Sequence, residues 1–198
     1  MKNVGSSYLR IMNKEILQII NNLDLPFEKA ALMAFIEVET GGKGFDKSTG
    51  KILIQFEPSW FRKKCSYAPS GAWSVNKVDV QSKEWSAFNN AYSINPIAAM
   101  ESTSIGLGQI MGFHYKRLGY EKVNSMWEDA KSGLRSQVNQ IVKFITSDAK
   151  LLKAIKDHNW HLCATYYNGS KYKELAKKYG RIPYNISLET AYNKYNKQ

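Results

Sequence analysis

One segment of the chain has the pattern of a helix that is apolar on every side, and this constrains the fold most strongly. The segment is FEKAALMAFIEVE, from Phe27 to Glu39, and every residue between Ala30 and Ile36 is apolar. Such a helix is stable only when other parts of the chain cover all of its faces. Pro26 suits its first turn, and two glycines follow its end. We therefore predict a buried central helix around which the other elements pack.

Apolar residues that recur three and four positions apart predict helices over much of the remaining chain. A short helix is predicted from Asn95 to Met100, and a capping-box pattern places the start of another helix at Met126. The other predicted helices cover residues 8–23, 134–145, 151–155 and 160–167. An Asn-Gly pair follows the last of them and is a common helix stop.

The sequence contains one clear strand signal and one long stretch without periodicity. KILIQFE, residues 51–57, is short and rich in branched apolar residues, which is typical of a strand. Residues 66–90 are mixed and rich in serine, so we interpret them as irregular. The 198 residues contain no linker or repeat, which predicts a single domain over residues 1–198. The expected class is all-α with a minor β element, a hairpin or short sheet near residues 51–57.

The chain is strongly basic. It has 28 Lys and Arg against 17 Asp and Glu, a formal net charge of +11. Such a surface attracts polyanions, and nucleic acid, anionic membranes and the acidic polymers of bacterial walls all qualify. Residues 171–198 interleave basic residues with five tyrosines, which suits single-stranded nucleic acid and an acidic glycan equally. The simplest interpretation of this tail is a solvated surface with its tyrosine rings packed inward.

The sequence also predicts where the chain is made. No apolar run reaches the roughly 20 residues that a membrane helix needs, so no membrane span is expected. Lys14 and Glu15 interrupt the apolar start, so no classical signal peptide is predicted. Cys65 and Cys163 are too few for a disulfide framework, although a single bridge stays open. We expect synthesis in the cytoplasm, with release or export needed for action outside it.

Glu39 is a candidate proton donor. At the end of the apolar helix it shares a face with Phe35 and Ile36, where its carboxyl is partly desolvated and near the negative end of the helix dipole. Both effects disfavour the charged form and raise the pKa. A carboxylic acid that stays protonated near neutral pH can donate a proton to a leaving oxygen. Glu37 projects to the opposite side and is less suited, and the alternative for either acid is pairing with Lys or Arg.

Two other stretches contain candidate binding residues. SIGLGQIMG, residues 104–112, has glycines that let the backbone approach a ligand closely, and Gln109 offers a donor and an acceptor for a sugar. The alternative is a tight turn between helices. ATYYNG, residues 164–169, offers a flat aromatic face at Tyr166 or Tyr167 and a polar tip at Asn168. The alternative there is a packed helix end.

No metal site is predicted. His158, His161 and Cys163 are close in sequence, but a zinc site usually needs three or four protein ligands. No further cluster of such residues supports one.

Taken together and in this order, the motifs resemble the lysozyme-like superfamily, and most closely the N-acetylmuramidase domain of phage endolysins and bacterial cell-wall enzymes. That family's pattern runs Val-Glu-Ser-Gly, Ile-Leu-Phe-Glu-Arg-His, Ser-Trp-Gly-Leu-x-Gln-Ile-Met-Gly and Tyr-Asn-Gly. The corresponding stretches here are VETGG, ILIQFEPSWF, STSIGLGQIMGFHY and TYYNG. The chain departs from the pattern at Pro58 and Ser59, which replace Arg-His, and at Ile105, which replaces an aromatic residue.

The resemblance implies a lysozyme-like fold and a muramidase that cuts the β-1,4 bond between N-acetylmuramic acid and N-acetylglucosamine. It implies that Glu39 is the catalytic acid and Glu57 the candidate second carboxylate. The residues expected to line the saccharide groove are Ser104, Gln109, Tyr167 and Asn168. The expected partner is peptidoglycan rather than nucleic acid, bound by a monomer without metal or cofactor. Two alternatives stay open: a lytic transglycosylase that forms a 1,6-anhydro product, and a basic nucleic-acid-binding module without catalysis.

Overall fold

The helix predicted to be central lies at the centre of the fold. The computed structural model describes residues 14–65 and 80–197. In it, helix α2 spans Lys29–Thr40, and its side chains between Ala31 and Ile36 are almost all buried. Gly41 follows with φ 61°, a left-handed conformation that ends the helix. The prediction of a buried helix is therefore confirmed.

Helices form most of the described chain. The helix α1 precedes α2 and spans Lys14–Asn21. The helices after α2 are α3 (Pro58–Lys64), α4 (Gln81–Ile94), α5 (Pro96–Glu101), α6 (Val123–Ser132), α7 (Leu134–Thr146), α8 (Ala149–Lys156), α9 (Trp160–Tyr167), α10 (Tyr172–Lys178) and α11 (Tyr184–Tyr195), with a 3₁₀ turn at Gly112–His114. The most extensive contact between helices joins α2 to α11. Most described elements contribute to one hydrophobic core, whereas the predicted domain limits, residues 1–198, stay a prediction.

A small antiparallel sheet packs beside the helices. Its strands are β1 (Ile54–Phe56), β2 (Thr103–Ile105) and β3 (Ile110–Met111), in that order across the sheet. Ile54 pairs with Ile105, and Ile105 with Ile110. The expected class, mostly helical with a short sheet near residues 51–57, is confirmed. SIGLGQIMG forms the β2–β3 hairpin, so the alternative of a turn between helices was wrong.

The interpretation of residues 66–90 as irregular was wrong for its last ten residues, which begin α4, while residues 66–79 lie outside the described part. The helix has little apolar periodicity because it turns polar side chains inward. The Gln81 side chain donates to the Ile54 carbonyl (2.8 Å) and accepts from its N–H (3.1 Å). The buried Glu84 carboxyl accepts from the Phe56 N–H at 2.8 Å. These side chains complete the hydrogen bonding of the outer edge of β1.

Two predicted helix starts differ from the structure. The helix expected to start at Met126 begins at Val123, so the capping-box residues lie inside it, and Glu128 instead pairs with Lys131 at 2.8 Å. The helix predicted over residues 8–23 is described as Lys14–Asn21, and residues 8–13 lie outside the described part. The predicted helices near residues 95–100, 134–145, 151–155 and 160–167 are present.

The basic tail packs most of its tyrosines inward, as the simplest interpretation predicted. Tyr172, Tyr192 and Tyr195 are buried, whereas Tyr179 is exposed. Cys65 and Cys163 do not form a disulfide bond with each other. In the part of the chain that the structure describes, no helix combines the length and apolar character needed to cross a membrane.

Candidate active site

A groove runs along the end of α2, between the small sheet and the α10–α11 connection. It consists of two adjoining cavities of about 530 and 540 Å³. Residues from four places in the chain line both halves, which makes the two cavities one groove. These shared residues are Glu39, Gln55, Glu57, Gln109, Leu175, Tyr179 and Arg181.

Glu39 lies in the last turn of α2 and faces this groove. Burial of the carboxyl raises its pKa from 4.5 to about 7. The Tyr184 hydroxyl donates a hydrogen bond to Oε1 of Glu39, which stabilises the carboxylate and opposes the rise. The predicted rise of the Glu39 pKa is confirmed. A carboxyl with this pKa exists in both its protonated and its ionised form near neutral pH.

Glu37 occupies a different environment on the same helix. Its carboxylate accepts from the Lys194 ammonium group at 2.8 Å and from the Tyr195 hydroxyl. It is not among the residues that line either cavity. Glu37 therefore has the paired role that the sequence left open for both acids, whereas Glu39 is bound by a neutral hydroxyl.

Glu57 brings a second carboxylate to the groove. It lies between β1 and α3, and its N–H donates to the Ser102 carbonyl at 2.9 Å. Its carbonyl accepts from the Phe61 N–H at 3.1 Å in the first turn of α3. The Gln55 side-chain amide donates to Oε1 of Glu57 at 2.8 Å, which orients the carboxyl. The structure therefore brings together the two acids predicted from sequence.

Gln109 lines both halves of the groove, and two hydrogen bonds to neighbouring residues hold its side chain in place. The Ser104 hydroxyl donates to Oε1 of Gln109 at 3.1 Å, and Nε2 of Gln109 donates to the Gly106 carbonyl at 2.9 Å. Each of these bonds leaves one further donor or acceptor position on the amide. Ser104 is only 6% exposed and lines neither cavity. Its position behind Gln109 does not match the substrate contact expected from the sequence.

The Tyr-Asn pair divides between the interior and the groove. Asn168 lines the second cavity, whereas Tyr167 lines neither. The Tyr167 hydroxyl donates to the Gly108 carbonyl at 2.9 Å, and the Tyr167 ring packs on Phe35 with centroids 4.7 Å apart. Burial raises the pKa of Tyr167 well above 10.0.

A Cβ at Gly108 would lie 2.5 Å from a carbon of Ile141. This glycine therefore permits close internal packing, and approach of the backbone to a ligand stays a prediction.

Sequence reasoning missed the groove residues of the tail, among them Tyr179, Arg181 and Tyr184. Tyr184 bonds to Glu39, and Tyr179 and Arg181 line both cavities. Gly180 and Pro183 mark a turn there, but no local pattern connects this turn with a residue about 145 positions earlier. From its composition, the simplest interpretation of the tail was a solvated surface with its tyrosine rings packed inward.

The histidines predicted not to form a metal site have other partners. Nε2 of His158 lies 3.2 Å from the Glu28 carboxylate, and Nδ1 of His161 lies 2.7 Å from the Tyr172 hydroxyl. Within residues 14–65 and 80–197, no three His, Cys, Asp or Glu side chains are grouped in a way that could hold a metal ion.

A comparison with protein families connects this geometry to a known class. The family model of N-acetylmuramidases matches residues 28–196, which covers the helix of Glu39, the small sheet and the α10–α11 connection. The chain belongs to the N-acetylmuramidase family. As a member of this family it is a glycoside hydrolase that acts on peptidoglycan, the polymer of the bacterial cell wall.

A solved structure supports the same assignment. The chain is similar to the crystal structure of the Burkholderia AP3 phage endolysin, with a TM-score of 0.70 and 27% sequence identity. The similarity covers 93% of this chain and 68% of that endolysin. It confirms the lysozyme-like fold that the sequence motifs implied. No curated protein sequence matches the chain significantly.

Proposed function

We propose that the chain is a muramidase that hydrolyses the β-1,4 bond between N-acetylmuramic acid and N-acetylglucosamine. The observation that carries this proposal is the Glu39 carboxyl, which faces a long groove and has a pKa of about 7. A donor with that pKa combines a large protonated fraction with ready proton transfer near neutral pH. The family assignment supports a glycan strand of peptidoglycan as the occupant of the groove.

In the proposed reaction, protonated Glu39 donates its proton to the glycosidic oxygen as the bond to the anomeric carbon breaks. Positive charge then develops on the sugar ring. The Glu57 carboxylate stabilises this charge or activates the attacking water, the two roles that a second carboxylate takes in glycoside hydrolysis. Water supplies the hydroxyl group at the anomeric carbon, and its other proton passes to a carboxylate of the groove.

The remaining predicted site residues divide into two proposed roles. Gln109 and Asn168 line the groove and contact the sugar hydroxyl and acetamido groups through their amides. Ser104 and Tyr167 are positioning residues: Ser104 orients the Gln109 side chain, and Tyr167 holds the backbone at Gly108. Because one chain supplies all of these groups, we propose that the monomer is the active unit and acts on the wall after release or export.

Product analysis tests the hydrolytic step. Purified walls digested by the protein should release fragments with a reducing muramic acid, each heavier by one water than the 1,6-anhydro form. Anhydro products would overturn hydrolysis in favour of a lytic transglycosylase. Intact walls together with tight, salt-sensitive DNA binding would favour the nucleic-acid-binding alternative.

The role of Glu57 is tested by Glu57→Gln, with Glu128→Gln as the control. Glu128 is exposed and paired with Lys131, outside the groove. We expect Glu57→Gln to lower kcat more than it changes KM, because the charge is needed in the transition state. Full activity of a folded Glu57→Gln protein would remove Glu57 from the mechanism.

A further inference from the structure

Arg181 provides an unpaired positive charge in a groove lined by acids. Among the described residues it is the only Lys or Arg side chain that lines either cavity, and Glu39, Glu57 and Glu84 line the first. No described carboxylate forms an ion pair with it. Its guanidinium group instead lies over the ring of Tyr179, 5.5 Å from the centroid. A guanidinium in this position can form paired hydrogen bonds with an incoming carboxylate.

The backbone at Arg181 is fixed. The Arg181 N–H donates to the Ala176 carbonyl at 2.8 Å, and the Gly180 N–H to the Lys177 carbonyl at 3.3 Å. With Gly180 at φ 60°, these bonds form the Schellman motif that ends α10. Pro183 follows immediately before α11. The direction in which Arg181 leaves the chain is therefore set by local structure before any ligand binds.

Apolar side chains lie next to this cation along the groove. Leu175 is 46% exposed and Ile182 is 69% exposed, and both line the second cavity. Because they lie in a groove, these exposed side chains offer apolar contact area to a bound ligand. Together with Arg181 they suit a ligand that presents a carboxylate close to small apolar groups.

We propose that Arg181 binds a carboxylate of the muramic acid unit and so selects muramic-acid strands over neutral chitin-like strands. The proposal rests on the proposed function. The carboxylate has two sources: the lactyl group of a muramic acid without peptide, or an acidic residue of the peptide stem. A polymer of N-acetylglucosamine alone offers neither. The methyl groups of the lactyl unit and of stem alanines would contact Leu175 and Ile182.

The proposal is tested by binding, with catalysis removed. In a Glu39→Gln background, dissociation constants are measured for three soluble fragments of equal sugar number: a chito-oligosaccharide, a peptide-free muramic-acid oligomer and a stem-bearing oligomer. Arg181→Gln is compared with Lys177→Gln, which removes the same charge from an exposed residue outside the groove. Arg181→Lys keeps the charge but not the planar donor pair, and should recover part of the affinity.

Arg181→Gln should weaken binding of one carboxylate-bearing fragment about tenfold to a hundredfold, the range for hydrogen bonds to charged groups. It should leave the dissociation constant of the chito-oligosaccharide unchanged. Lys177→Gln should change little in any of the three dissociation constants. A loss confined to the peptide-free fragment identifies the lactyl carboxylate, and a loss confined to the stem-bearing fragment identifies the stem. An equal loss on all three fragments, or no loss, overturns the proposal. Wild-type digests that contain no cut at muramic acid would instead overturn the proposed function.

Discussion

Replacing Glu39 by Gln should increase stability while it abolishes most activity. The folded-state pKa of about 7 lies about 2.5 units above the ordinary value of 4.5. At about 1.36 kcal/mol per unit, ionised Glu39 destabilises the folded state by about 3 kcal/mol. The folded protein holds this proton more tightly than the unfolded chain does, so stability falls as pH rises from about 4.5 to about 7. Gln is neutral throughout, and its carbonyl can still accept from Tyr184.

The assay is thermal unfolding of both proteins at pH 5 and at pH 8. For a chain of this size, 1 kcal/mol corresponds to roughly 2–4 °C, so the Tm of Glu39→Gln should exceed that of the wild type by up to about 10 °C at pH 8. At pH 5 the two should nearly coincide. Wall lysis by the variant, followed as loss of turbidity, should fall on the order of 10²–10⁴-fold because the proton donor is gone.

Glu37→Gln is the matched control on the same helix. It removes an ion pair with Lys194 outside the groove, so lysis should stay near the wild-type rate and stability should fall by about 1 kcal/mol or less. The same Tm difference at both pH values would contradict a raised pKa of Glu39. Wall lysis at the wild-type rate by a folded Glu39→Gln protein would contradict its role as proton donor.

Three other perturbations have expected outcomes. The kcat/KM for wall lysis should fall as pH rises through about 7, and Tyr184→Phe should move this limb to higher pH, because the hydrogen bond from Tyr184 holds the Glu39 pKa down and its loss raises that pKa. An unmoved limb would contradict the assignment. Gly108→Ala should cost about 1–3 kcal/mol of unfolding free energy in a urea titration, because the added Cβ would lie 2.5 Å from Ile141, and unchanged stability would show that the site can relax. Because the chain has a net charge of +11, wall lysis should be slower in 1 M salt than in 0.15 M salt. The Debye length is about 3 Å at 1 M and about 8 Å at 0.15 M, so charges are screened more strongly at the higher concentration. Equal rates would mean that groove contacts alone hold the wall.

The features that the sequence predicted well are encoded locally. The apolar run around Phe35 requires a buried helix, and the position of Glu39 in that run already implies a desolvated carboxyl. The short branched segment at Ile54 likewise predicts its strand. The motifs SIGLGQIMG and ATYYNG contain the groove residues Gln109 and Asn168, whose side-chain amides made them candidates.

The features that the sequence did not predict depend on contacts between distant parts of the chain. Helix α4 lacks apolar periodicity because Gln81 and Glu84 point inward and bond to the edge of β1. A hydrophobicity pattern treats such buried polar residues as surface residues. Spacing also gives the face on which a residue lies but not its depth, so Ser104 was expected in the groove although it lies behind Gln109. Tyr184 reaches Glu39 through the packing of α11 on α2, and Arg181 lies in the connection that precedes α11.

That packing also sets when Glu39 acquires its hydrogen-bond partner during synthesis. Tyr184 follows Glu39 by 145 positions, and Tyr195, which bonds to Glu37, follows later still. At about 5–20 residues per second, a ribosome needs roughly 7–30 s to travel from the codon for Glu39 to that for Tyr184. Throughout this interval the nascent chain contains Glu39 but not yet α11, the helix that packs beside it. A translation product aborted before α11 therefore contains Glu39 but lacks Tyr184, whose hydroxyl bonds to its carboxyl.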